Sequence, residues 1–209
     1  MSAESAEAQE TQRLIEDYCV FRLRLSQREL PSYQHISREA FSAVAAKIRR
    51  IGQEIENNNP QFFARCCEQL DVRPTTAYAK FRDLADELFR SEGGGDGGIS
   101  WGRIAALIAF SGRLSLYCAT NGMEDFVPSV IGWTSRYMNH RLKDWMIQHR
   151  GWEGFMEFFD EERASQRARE TMNDIVETVC KYAWFGAGLA MFLFIASRAL
   201  SGVLNTSTS

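Results

Sequence analysis

Arg103 is the residue in this chain best placed to act on another molecule. It follows Ser100, Trp101 and Gly102. Serine is a preferred helix cap, so Arg103 falls in the first turn of the helix that starts there. A guanidinium held on a rigid turn is a two-pronged donor that matches a carboxylate. The helix N-terminus is electropositive, which makes burying a cation there costly and suits an arriving anion. Two carboxylates fit: one carried by a partner, or an acid of the same chain such as Glu87. Gly102 would let another backbone come close, or is simply tolerated at a helix start.

Other chemistry finds little support. The three histidines (His35, His140, His149) have no metal-ligand spacing with the cysteines, and Cys66 and Cys67 are adjacent. The glycine-rich stretch 91–98 (SEGGGDGG) lacks the Gly-Lys-Ser/Thr ending of a phosphate loop and follows a helix. No enzyme, metal or cofactor is expected. The five cysteines are odd in number and lie in apolar helical patterns, as free thiols in a reduced, cytosol-facing protein do. A net charge of −3 gives no positive field for nucleic acid. Residues 1–9 are polar and acidic, with no signal-peptide core.

The elements that position these residues are helical. Leu14, Tyr18, Phe21 and Leu25 recur at i, i+4, i+7 and i+11 across 12–25. After Pro31, Ser37 can cap a second helix with Glu39 in its first turn; its stripe is Phe41, Val44, Ile48, Ile51 and Ile55. Asn59-Pro60 starts a third helix, to Leu70. Pro74-Thr75-Thr76 starts a fourth, to about 90. A loop at 91–98 precedes the most apolar internal segment, 101–120, which should be the central helix. Asn121-Gly122 ends it, and Asp125 starts another with Pro128 in its first turn. Shorter helices surround Trp145 and Trp152, and those tryptophans with Trp101 read as core anchors. Residues 160–173 are charged on all sides. Within 182–204 the only charge is Arg198, which can snorkel, and Tyr182 and Trp184 suit a bilayer interface. This reads as a membrane anchor of roughly 20 residues; a buried core helix is the alternative.

Taken together, these segments resemble the Bcl-2 family. Ser100-Trp101-Gly102-Arg103, preceded by Glu87-Leu88-Phe89-Arg90, is similar to its Asn-Trp-Gly-Arg segment. Trp145-Met146-Ile147 and Arg150-Gly151-Trp152 resemble its second homology segment. The stripe 48–55 (IRRIGQEI) looks like the third, or death, segment, and 14–23 (LIEDYCVFRL) like the fourth. Gln69-Leu70, Pro74 and Thr76-Ala77-Tyr78 resemble a connector of survival members. Gln53 stands where the death segment usually has an acid, Ser100 replaces asparagine, and the loop at 91–98 is longer than usual.

The resemblance implies an all-α bundle of about eight helices around a central hydrophobic hairpin, plus a C-terminal transmembrane helix. Its expected divisions are a disordered 1–11, the bundle at 12–160, a charged linker at 161–181, the anchor at 182–204 and a polar tail at 205–209. It implies a groove that takes an amphipathic death-segment helix of a pro-apoptotic relative. Phe63, Cys66, Leu70, Phe81, Leu84 and Leu88 would line it, Ala106 and Phe110 would form its floor, and Ser100, Gly102 and Arg103 would hold its rim. The chain's own death segment, with Val44, Ile48, Ile51, Gly52 and Ile55, either closes the core or swings out as a ligand; Gln53 disfavours the latter. The expected function is a pro-survival apoptosis regulator on the cytosolic face of the mitochondrial outer membrane or the endoplasmic reticulum. The alternatives are a pore-forming killer, whose central helix would be long enough to span a bilayer, and a tail-anchored adaptor with no groove.

Overall fold

The computed structural model describes residues 3–70, 72, 75–90 and 98–160. The expected linker, anchor and polar tail (161–209) lie outside the described residues, as does most of the loop at 91–98.

The described elements are helical. The first helix, α1, spans Ala3–Leu25. It begins at Ala3, so from that residue to 11 the expected disorder gives way to helix: the first two turns, though acidic, continue α1. Helix α2 spans Ala43–Asn58. Its cap is Ser42, whose Oγ accepts from Ala45 N at 3.1 Å, rather than Ser37. Ser37 instead accepts from Glu39 N in a local turn, and Phe41 is exposed before the helix begins. A serine can serve a turn or a helix by the same bond, so the cap was placed one turn and a loop too early.

Helix α3 spans Pro60–Leu70, α4 spans Ala77–Leu88, and α5 spans Trp101–Thr120. Then α6 covers Val127–Tyr137, with Pro128 in its first turn, and a single π-turn at Met138–Leu142 leads into α7, Lys143–Gln148. Arg150 and Gly151 take left-handed backbone angles, turning the chain into α8, Gly151–Phe158.

The centre is α5. Its face and flanks from Ile104 to Ala109 are all buried, and α1, α2, α3, α4 and α6 pack against it. Inside the α5–α6 hairpin, Ser111 and Thr134 hydroxyls bond to each other at 2.7 Å. Each also lies within bonding distance of a carbonyl of its own helix, Leu107 at 2.8 Å and Val130 at 2.9 Å. One hydroxyl donates to its carbonyl and the other to its neighbour's oxygen or to its own carbonyl, so both buried hydroxyls have partners. No described helix, α5 included, is both long and apolar enough to cross a membrane. Length alone suggested otherwise for α5; Arg103, Arg113 and its serines and glycines lower its hydropathy.

Two glycines set how closely α1 meets its neighbours. A methyl at Gly52 of α2 would stand 2.5 Å from the Tyr18 ring, and one at Gly112 of α5 would stand 2.5 Å from the same ring's other edge. Tyr18 is therefore a wedge clamped between α2 and α5. The loop between α1 and α2 is fastened by side chains from both helices. Arg24 donates to the carbonyls of Tyr33, Ile36 and Ser37 at 3.1, 2.8 and 3.0 Å. Arg49 donates to that of Arg38 at 2.7 Å.

Candidate partner-helix groove

The serine at 100 does what its type suggests: its Oγ accepts from Arg103 N at 3.3 Å and starts α5. The Arg103 side chain is half-buried, and its Nη1 donates to the carbonyls of Gly98 at 2.8 Å and Arg90 at 3.2 Å. Gly98 makes this possible, because a Cβ there would stand 2.2 Å from the Phe89 carbonyl. Glu87, the acid considered as an internal partner for Arg103, pairs with Arg90 at 2.9 Å. Burial pushes the Glu87 carboxyl above its ordinary range, and its Oε1 is buried with no hydrogen-bond partner. The rim therefore holds a cation aimed by backbone carbonyls and a carboxylate with an unsatisfied oxygen.

The expected lining falls on three helices that meet. Phe63, Cys66 and Leu70 lie on α3, Phe81, Leu84 and Leu88 on α4, and Gly102, Ala106 and Phe110 on α5. Leu84 is half-buried; the others are buried, at 6% exposure or less where they are hydrophobic side chains. Phe81 stacks on Phe110 with ring centroids 6.2 Å apart and also meets Trp133 of α6 at 5.8 Å. The apolar side chains that would receive a partner are buried, because without a ligand they gain most by packing on each other.

Trp101 sits against Trp145, Trp152 and Phe155, with centroids 5.0, 6.5 and 5.9 Å away. These rings join the start of α5 to α7 and α8. They anchor the rim rather than line the groove.

The death-segment stripe faces inward. Ile48, Ile51 and Ile55 are buried at 3% exposure or less, Gly52 is buried against Tyr18, and Val44 is half-buried. What holds it there was missed in the sequence. Arg49 of α2 makes a two-pronged bond to Asp17 of α1, Nε to Oδ2 at 2.8 Å and Nη2 to Oδ1 at 2.6 Å. Arg22 of α1 makes the reciprocal bond to Glu56 of α2, both contacts at 2.7 Å. Tyr18 adds its hydroxyl to Glu56 Oε1 at 2.8 Å. Asp17, Arg49 and Glu56 are all at 9% exposure or less. The two pairs run in opposite directions, acid to base and base to acid. They fix the register as well as the contact. Burial and the neighbouring Glu56 carboxylate both push the Tyr18 phenol well above its ordinary range, so it stays a donor.

The four described cysteines are buried and form no disulfide among themselves. Burial pushes the thiols of Cys19 and Cys118 up to about 12 and about 11, and Cys67 upward as well. They pack as apolar groups, not as nucleophiles. Among the described residues no cluster of His, Cys, Asp or Glu could hold a metal ion.

Comparison with known proteins agrees with this arrangement. The chain is 31% identical over 188 residues to the anti-apoptotic protein NR13 of Coturnix japonica, covering 90% of this chain and 96% of that one. It is 30% identical to human Bcl-2-like protein 1, over 72% of this chain and 59% of the relative. Among solved structures it resembles Trichoplax adhaerens trBcl-2L2 bound to trBak BH3, with a TM-score of 0.64 and 34% identity, covering 73% of this chain and 99% of that chain. The family model described as apoptosis regulator proteins, Bcl-2 family, matches residues 48–152. From α2 to the start of α8, and by relatives that extend through nearly the whole sequence, the chain belongs to the Bcl-2 family and is an apoptosis regulator rather than an enzyme.

Proposed function

We propose that this protein is a pro-survival regulator that sequesters the death-segment helices of pro-apoptotic relatives between α3, α4 and α5. The observation that carries the direction is the state of its own death segment. A killer has to release that segment, and here release would break two buried two-pronged ion pairs and the Tyr18–Glu56 bond. Leaving even one such charge buried without its partner costs about 3–5 kcal/mol. Gln53 would also leave an arginine in a recipient groove without its usual acid. The anti-apoptotic role in the name of a relative that aligns over 90% of this chain, and the BH3 segment bound by the Trichoplax relative, support the same direction.

In this reading Arg103 exchanges its carbonyl contacts for a partner's aspartate, and α4 moves off α5 so that the Phe81–Phe110 stack opens onto an apolar stripe. The segment 182–204 attaches the protein to the outer mitochondrial membrane or the endoplasmic reticulum, with the bundle in the cytosol.

The test pairs two assays. A labelled BH3 peptide from a Bak-type protein should bind with micromolar or tighter affinity and lose binding on Arg103→Ala or Arg103→Glu. Liposomes should keep their dye when the full chain is added, with or without an activating peptide. Leakage caused by this protein alone would reverse the assigned direction.

A further inference from the structure

Helix α5 carries two charged residues, Arg103 and Arg113. At 100° per residue, Arg103, Ala106, Phe110 and Arg113 fall within an arc of about 80°. Two contacts fix which way that arc points. Phe110 stacks on Phe81 of α4, whereas Gly112, on the far side of the helix, lies against Tyr18 of α1. Arg113 is also close enough to Cys67 of α3 for its charge to act on that thiol. Arg113 therefore leaves α5 on the same side as Arg103 and Phe110, about 15 Å along the helix from Arg103 at 1.5 Å per residue. The two cations bracket the apolar floor.

Arg113 is half-buried and makes no hydrogen bond or ion pair with any described residue. The buried acid whose charge also reaches Cys67, Glu56, is already held by Arg22 and Tyr18. A half-desolvated guanidinium that gains no carboxylate from the described residues has lost hydration without that return, so an arriving acid recovers more there than on an open surface.

We infer that Arg113 is a second carboxylate-binding position of the groove, selecting partner helices that carry an acid about 15 Å from the aspartate received by Arg103. This rests on the groove reading above and adds to it a rule about which helices are preferred. With side-chain reach, that distance corresponds to roughly seven to eleven residues along the partner.

The experiment uses the full chain and a Bak-type BH3 peptide in versions that differ by one glutamate or one lysine, scanned over that window on either side of the aspartate. At one register the glutamate version should bind roughly tenfold tighter than its lysine counterpart, a difference that shrinks in high salt. Arg113→Glu should invert the preference, and Arg113→Leu should level it. The thermal midpoint of Arg113→Leu should be unchanged or higher, since an uncompensated cation is removed. Equal binding of all versions by the unmodified protein overturns the inference and leaves the groove standing. A lowered midpoint in Arg113→Leu with the preference intact also overturns it, by making Arg113 structural. Failure of every peptide to bind removes the groove reading itself, and this inference with it.

Discussion

The two sides of α5 handle charge in opposite ways. Toward α1 and α2, each buried acid meets a base in two-pronged geometry, and Tyr18 fills the remaining space between two glycines. Toward α3 and α4 the surface is apolar, with Arg103 aimed by backbone carbonyls and Arg113 outside any described ion pair. One side is complete within the chain. The other, on the reading proposed above, is completed by a visitor. A buried ion pair adds little net stability over an apolar contact, but removing one partner is severe. The sealed side therefore fixes a state, and on the proposed reading the receptive side exchanges its contacts for a partner's.

The largest effect should come from breaking the sealed side. Asp17→Ala or Arg49→Ala leaves one buried charge alone and should cost about 3–5 kcal/mol in urea unfolding. The double substitution should cost less than the sum of the two, since it removes both charges. If each alone is nearly neutral, the contrast between the two sides fails.

Gly52→Ala or Gly112→Ala should come next, at about 1–3 kcal/mol, because a methyl meets the clamped Tyr18 ring. Tyr18→Phe keeps the wedge and loses its bond to Glu56, so it should be milder than either glycine change at neutral pH.

Alkaline pH should weaken the sealed side more gently. The buried thiols of Cys19 and Cys118 hold their protons up to about 12 and about 11, whereas the ordinary value is 9.0. Their pKa is raised in the folded chain, so their contribution is fully present below pH 9. It is lost as pH rises toward 11 and 12, because the unfolded chain ionises first. Stability measured by urea unfolding should fall across that window, and Cys118→Ala should flatten the fall.

The smallest effect on stability belongs to the receptive side. Arg103→Leu loses two bonds to carbonyls and should shift the unfolding free energy by only about 1 kcal/mol while removing peptide binding. A stability loss comparable to that of Arg49→Ala would erase the distinction.

Much of the architecture was legible because it rests on local rules. Ser100 capped α5, Asn59-Pro60 opened α3, and the apolar run at 101–120 became the centre. The start of α2 was misplaced because Ser37 and Ser42 compete for the same kind of bond and only tertiary contacts decide. The residues expected to line a groove lie together on α3, α4 and α5, but their burial was not legible, because it depends on what packs on them rather than on their own types. The charged seam was harder to read. Asp17 and Arg22 border Tyr18 on α1, while Arg49 and Glu56 flank the stripe of α2, each with an ordinary solvated reading. One signal was present: opposite charges seven apart beside Ile48 and Ile55, so that both project from one edge of a helix whose apolar face is buried.

The fastening of the loop between α1 and α2 bears on what a protease could achieve. Arg24 grips three carbonyls from one end and Arg49 reaches Arg38 and Glu39 from the other. Cutting the backbone between Gln27 and Leu30 would sever the polypeptide without severing the assembly. The short amino-terminal piece would stay docked as a complementing fragment, co-eluting with the remainder until denaturant separates them.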